Sequence, residues 1–454
     1  MKKIRIGSGL GFYGDSWAPI RATIERGNVN YIASDHLAEL TLAILQKDRL
    51  KDSQSGFTKD LVPMLTELYP LAKEKGIKFV LNAGGLNPLG AQKALAAAFE
   101  KKGLKAKIVA VTGDALSERL DTLSEKGVHF KHLDTAQSLD EVRDRILFVN
   151  AYLGAKPLVE ALQQGADIVL TGRVADAALF LAPMIYEFGW SFEDYDKLAQ
   201  GITVGHLLEC SGQGSGGNYG GKDWAEVPAI ENIGYPIAEV YEDSSAVITK
   251  AEGTGGRVNV RTVSEQLLYE THNPRRYYSP DVIVDMGTIV LKDLNEDHVH
   301  VSGATGLPAP QTLKVLAGYD DGYMAQGIAG YAWPDALKKA EVAAHMIKSH
   351  IARDGHKIED VHVEYMGYNA LHGALSHTEG VENINEIFMR IAVKTYSQSA
   401  ARKISQLVPH LFLSGPPFVT IVPTSGVRGL LGIFPTLIDR QHVEPFVQIH
   451  AVEV

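Results

Sequence analysis

GADIVLTGRVADAALFLAPMIYEFGW, residues 165–190, reads as strand, turn and helix. Asp167–Thr171 is short, apolar and β-branched between Gly165 and Gly172, the pattern of a buried parallel strand. Gly172-Arg173 forms the turn, Asp176 takes the place of an N-cap or first-turn acid, and Leu179, Met184 and Phe188 recur at helical spacing before Gly189. Arg173 and Asp176 therefore stand just past the carboxyl end of a strand, where open α/β sheets place their ligands. The plainer alternative is an Arg–Asp pair that only ties the turn. As a ligand-side residue, Arg173 is expected to lie outside the core.

The same grammar recurs on both sides of this stretch. Ile4–Ser8 is a strand, and it runs into Gly9-Leu10-Gly11-Phe12-Tyr13-Gly14, a formal G-x-G-x-x-G match. Asp35 follows about 20 residues later, as a dinucleotide fingerprint requires. Asp15 directly after the glycines argues against this reading, because a carboxylate beside a pyrophosphate is unfavourable. The glycines then simply build a tight turn. Val29–Ser34 is the next strand, and Asp35 opens a helix on which Glu39 lies one turn on. Two acids on one face could divide proton transfer or hold a cation, and a helix N-terminus also favours acids through its dipole.

Further strands at Ile77–Leu81, Lys107–Val111 and Ile146–Val149 each end in a small, polar turn. Strands alternating with helices over residues 1–200 indicate an α/β domain with a mostly parallel, doubly wound sheet. Its strand-end turns gather Asp15, Asp35, Asn82, Gly84, Gly85, Asn87, Asp114, Asn150, Tyr152, Gly172, Arg173 and Asp176 along one edge.

Beyond residue 200 the pattern changes. Thr203–Glu209 reads as a helix that places His206, Glu209 and Cys210 within one turn. This is either a metal face or a pair of surface polar groups, and no third ligand of clear spacing is present, so no metal is expected. Two glycine loops follow, one carrying Gly216, Gly217 and Asn218, the other Gly255, Gly256 and Arg257; both suit close approach to a ligand or anion. Strands are expected at Ile237–Tyr241, Ala246–Lys250, Val258–Val260, Val282–Val284, Thr288–Leu291 and His298–Ser302, giving a second, α+β lobe over 201–354. Residues 355–454, with strands at Val361–Tyr365, Phe388–Tyr396, Leu430–Phe434 and Val447–Val452, suggest a C-terminal ferredoxin-like α+β domain.

The 454 residues are 45% hydrophobic and 22% charged, the balance of a soluble globular chain with large cores. A net charge of -10 argues against a nucleic-acid surface. The single cysteine, Cys210, rules out an internal disulfide framework. No apolar h-region or membrane-length run is seen, so a cytoplasmic location is expected.

Several long phrases, GFYGDS, SDHLAELTLAIL, NAGGLNP, GADIVLTGRVADAAL, HLLEC with its glycine loop, GTGGRV, VSGATG and SGPP, resemble the acyclic terpene utilisation (AtuA-like) family. The resemblance implies a large α/β portion, a C-terminal ferredoxin-like portion, and a context in the catabolism of acyclic terpenoids such as citronellol through acyl-CoA intermediates. Joined to the residues, this gives the leading expectation. It is a catabolic enzyme acting on a carboxylic acid or its CoA thioester by acid/base chemistry, either hydration or dehydration, or C–C or thioester cleavage. Asp15, Asp35 and Glu39 are the acid/base candidates. Arg173 and Arg257 would orient a carboxylate or phosphate, and Asn82, Asn87 and Asn150 would bond the substrate or an oxyanion. No G-x-S-x-G elbow is present. No cofactor is required in this reading beyond CoA as part of a substrate. The expected partners are that small molecule and further copies of the chain, with no nucleic acid and no membrane. An NAD(P)-linked oxidoreductase and a non-catalytic subunit of an acyl-CoA carboxylase-type assembly are the alternatives.

Overall fold

Ile168–Thr171 is a strand whose four residues are all buried. It lies between Lys78–Leu81 and Lys107–Thr112, parallel to both. The computed structural model describes residues 2–355, 357–424 and 426–454. The first six strands are β1 (Lys3–Ser8), β2 (Tyr31–Ser34), β3 (Lys78–Leu81), β4 (Lys107–Thr112), β5 (Ile146–Ala151) and β6 (Ile168–Thr171). Five of them run in the order β1-β2-β3-β6-β4, all parallel. Ile32, Phe79, Leu81, Ile108, Ile168 and Leu170 share a core with Ile24, Leu65, Leu68, Leu95 and Phe99 from three helices. The alternate residues Ala33, Val80 and Val169 are buried as well, and helices Lys156–Gln163 and Ala178–Phe188 also pack on these strands. Side chains alternate across a sheet, so both faces are covered. This is a mixed α/β fold with large sheets.

The structure departs from the sequence reading at four places. β5 is not in the parallel sheet; it pairs with the strand Thr312–Ala332. Within residues 201–354, expected as a separate lobe, four strands join the same sheet as β1. Pro236–Tyr241 pairs antiparallel with β1, followed by Ala246–Lys250, His298–Ser302 and Val290–Asn295. Val258–Val260 is not a strand, because Asn259 caps the helix Val260–Leu268 by accepting from the Arg261 and Thr262 amides. The C-terminal strand Gln448–Glu453, expected in the last domain, pairs antiparallel with β4 and closes the other side of this sheet.

The chain accordingly forms two compact units, Met1–Gly318 with Ile433–Val454, and Tyr319–Gly432. In the second unit the sheet order is Asp360–Met366, Glu386–Thr395, Thr312–Ala332 (from Tyr319 on), Val419–Val422, with every neighbour antiparallel. Helix Ala336–Arg353 buries Ala340, Ala343, Ala344, Ile347 and Ile351 at helical spacing, and Ile387, Met389 and Ile391 from the sheet join the same core.

Gly113 ends β4 with φ +111, and a Cβ there would lie 2.6 Å from both the Phe446 carbonyl oxygen and Val447 Cα. Gly113→Ala meets backbone strain and a backbone obstacle together. It should cost about 1–3 kcal/mol in urea unfolding; an unchanged midpoint would show that the C-terminal segment does not pack closely here.

Candidate active site

The carboxyl ends of the parallel strands build the site. Ser34 ends β2, and residues 35–38 form a loop before the helix Glu39–Lys51. The expected helix therefore starts four residues late, and Asp35 and Glu39 are not neighbours on one helical face. Asn82, at the end of β3, holds the loop instead. Its Nδ2 donates to Asp35 Oδ1, and its Oδ1 accepts from the His36 amide at 2.6 Å. The Leu37 amide donates to the same Asp35 oxygen at 3.1 Å. Asp35 is buried, and its pKa is pushed well above the usual carboxylate range. Burial is the main cause and the nearby Asp176 charge adds to it, against the opposing pull of Arg173, Asn82 and the Leu37 amide.

Arg173 follows β6 and is only 2% exposed, one of the largest fully buried side chains. It belongs to the core, contrary to expectation. Its Nη1 donates to the Leu37 carbonyl at 2.6 Å and lies 2.8 Å from Asp176 Oδ1, and its guanidinium carbon stacks 4.1 Å from the Tyr152 ring centre. Asp176 does not cap the following helix; Ala177 occupies that position. Behind Arg173, Asp114 Oδ2 accepts from the Arg173 amide at 2.8 Å and from Asn150 Nδ2 at 2.7 Å. Gly172 lies against the Asp114 carboxylate, where a side chain would not fit. Tyr152 thus reaches the site from β5 by a route outside the parallel sheet, while Asn150 supports Asp114 behind it. The Tyr152 hydroxyl donates to Glu39 Oε1 at 2.9 Å, and Lys314 Nζ lies 3.3 Å from the same oxygen. Burial raises the Glu39 pKa, but Lys314, the helix amide, Arg173 and Tyr152 outweigh it and hold the carboxyl down at about 2.

On helix Tyr195–Leu208 and just past it, His206 Nδ1 lies 2.8 Å from Glu209 Oε1. His206 is 1% exposed and Glu209 6%, so these are not the surface polar groups of the helical reading. Burial raises the Glu209 carboxyl, and Asp176 and Glu270 raise it further against His206.

Part of this set lines one cleft of about 1730 Å³, whereas Asn82, Asp114, Asn150, Gly172 and His206 are not in its lining. Asp15, Asp35, Glu39, Tyr152, Arg173, Asp176, Gly217 and Asn218 line it, with Glu209, Cys210, Tyr277 and Lys314, which the sequence did not single out for this purpose. Phe12, Leu37, Leu133, Ile233, Leu313 and Leu437 supply apolar walls. Other candidates stand elsewhere. Asn87 caps helix Pro88–Lys102 through the Gly90 amide, and Gly84 and Gly85 pack against Thr171 and Leu45. Arg257 is bound to Asp223 Oδ2 at 2.7 Å and to the Glu226 carbonyl at 2.5 Å. Its neighbours Gly255 and Gly256 press on Ala229 and on the Ser215 carbonyl, and Gly216 presses on Arg257 itself. The two glycine loops therefore pack on each other, the Arg257 amide donating to the Ser215 carbonyl at 2.7 Å. In the G-x-G-x-x-G loop the Gly11 amide is taken by Asp15 Oδ2 at 3.1 Å and the Gly14 amide by Asp60 Oδ2 at 3.2 Å.

The model of the family described as "Acyclic terpene utilisation family protein AtuA" matches residues 4–449. The chain belongs to that family. Membership implies a role in acyclic terpene utilisation, and it covers both compact units. No curated protein and no solved structure matches the chain. Among the described residues no helix is long and apolar enough to cross a membrane, and no group of three or more His, Cys, Asp or Glu could hold a metal ion.

Lysine cannot reproduce the planar contacts of Arg173 to Leu37, Asp176 and the Tyr152 face. Arg173→Lys should destabilise the fold by about 1–3 kcal/mol, the cost of leaving buried partners unsatisfied. Chemical denaturation would measure this, and an unchanged midpoint would show that Arg173 does not hold the strand ends together.

Proposed function

We propose that the protein is an enzyme of acyclic terpene catabolism that acts on the thioester of a branched acyl group, with Asp35 as general acid. The observation that carries this is a buried carboxyl with a raised pKa, fixed at a strand end by Asn82 and Leu37, and lining a cleft with apolar walls. Environments that push neighbouring carboxyl pKa values apart assign acid and base roles. Burial and the Asp176 charge favour the protonated form of Asp35, whereas Lys314 and Tyr152 favour the ionised form of Glu39. Glu39 then positions Tyr152 beneath Arg173, and Asp15 closes its own loop. Arg173 balances the acids: its Nη1 is engaged by the Leu37 carbonyl and Asp176, and its Nε has no hydrogen-bond partner among the described residues. A cleft lined by Asp35, Glu39, Asp176 and Glu209 disfavours a free carboxylate at its floor and favours a neutral thioester. The lining residues named above belong to the first compact unit. For the second unit, the strand order supports the ferredoxin-like reading.

The nicotinamide alternative finds no support in the Gly9–Gly14 loop, since carboxylates occupy the Gly11 and Gly14 amides that a pyrophosphate would need. Calorimetry with NAD and NADP should give no heat of binding; saturable binding lost on Gly11→Ala would reverse this.

Asp35→Asn should lower turnover of branched acyl-CoA thioesters by about 100-fold or more, as for loss of a general acid, with the fold retained. Wild-type rates should fall on the alkaline side as Asp35 loses its proton. Because its folded pKa is raised, the folded state binds more protons than the unfolded chain between the ordinary carboxylate range and the raised value. Asp35 therefore makes stability decline as pH rises through that window, and Asp35→Asn should flatten the decline. Full activity of Asp35→Asn at every pH would remove it from the chemistry.

A further inference from the structure

His206 and Glu209 form a buried pair that the acid at Asp35 leaves unused. His206 Nδ1 and Glu209 Oε1 are 2.8 Å apart and the Leu267 backbone also bonds the imidazole, but Glu209 Oε2 has no hydrogen-bond partner among the described residues. A pair that served packing alone would carry the desolvation cost of that carboxylate oxygen for nothing. Glu209 lines the cleft, so its free oxygen has a place to act. We propose that Glu209 is the proton acceptor of this cleft, positioned by His206, and that the reaction is the removal or addition of water across the α,β bond of the acyl thioester.

This inference rests on the acyl-thioester reading and specifies its chemistry. In the dehydrating direction Glu209 takes the α-proton and the C–H pair becomes the new C=C bond. The β C–O bond breaks as its hydroxyl accepts the Asp35 proton, and water leaves. The net change is one proton moved from Asp35 to Glu209, which exchange with solvent resets; hydration is the reverse. No oxidant, reductant or covalent intermediate is needed. Cys210, the neighbouring nucleophile, is unsuited to thioester cleavage, because burial and the Glu209 charge push its thiol well above its ordinary pKa.

The groups facing Glu209 are His206, Asp176, Glu270, Cys210, Tyr269 and Tyr277. Burial pulls the His206 pKa down, but Glu209 outweighs it and the imidazole is raised overall. A protonated His206 is the one cation in this set, opposing Asp176 and Glu270. Its removal should move the protonation of Glu209 to higher pH.

The test uses the full chain in D2O with the CoA thioesters of 3-hydroxybutanoic acid, 3-hydroxy-3-methylbutanoic acid and a chain-extended branched homologue. Mass spectrometry would follow α-deuterium uptake and dehydration separately. Wild type should do both. Glu209→Gln should lose both by about 100-fold or more, and Glu209→Asp should retain part of each. Asp35→Asn should lose dehydration but keep α-exchange. His206→Gln should shift the acidic limb of the exchange rate to higher pH, which a loss of packing alone would not do. Wild-type turnover with Glu209→Gln unimpaired overturns the role of Glu209 and leaves the acyl reading standing. Failure of folded wild-type protein on every thioester overturns both.

Discussion

A buried guanidinium is the constraint on which the rest of this site depends. Taking Arg173 out of water is costly unless good partners surround it, and removing one partner would leave a buried charge uncompensated. The fold supplies those partners from separate pieces of chain: Leu37 after β2, Tyr152 after β5, Asp176 after β6, and Asp114 after β4 bonding the Arg173 amide. Each must be in place for the others to be satisfied. The same contacts that neutralise the arginine therefore bring the ends of four strands to one point.

That convergence separates the protonation states of the nearby acids. Asp35 is buried and feels the Asp176 charge, so it resists ionising even beside Arg173. Glu39 sits at the first turn of its helix with a lysine and a tyrosine hydroxyl on one oxygen, and it ionises readily. Glu209 is buried but tied to an imidazole. Three carboxyls around one cleft thus differ through desolvation and local partners. A proton donor and a proton acceptor can coexist there, whereas identical environments would favour one state for all three.

The glycine-rich loops show how one motif can serve two ends. Two glycine loops suit close approach to a ligand; Gly217 and Asn218 of the first line the cleft, but Gly216 and Gly256 are small because one loop lies against the other. The G-x-G-x-x-G turn likewise spends its Gly11 and Gly14 amides on Asp15 and Asp60. Asp15 was readable from the sequence as an obstacle to pyrophosphate. Asp60, distant in the chain, was not.

The sequence by itself determined the local grammar. Short β-branched runs ending in polar turns specify parallel strands, so the strand-end positions of Asp35, Asn82, Asp114 and Arg173 were legible, as was family membership from long shared phrases. It could not determine what each side chain does there. Arg173 reads as an exposed ligand group until the Leu37 carbonyl and the Tyr152 ring are seen to enclose it. His206 and Glu209 read as a surface pair until the tertiary structure buries them. The path of β5, the entry of residues 236–302 into the first sheet and the return of Gln448–Glu453 to β4 were equally invisible. Each is a pairing between residues far apart in the chain, and burial, charge compensation and pKa all follow from such pairings. Periodicity reports only on neighbours along the chain.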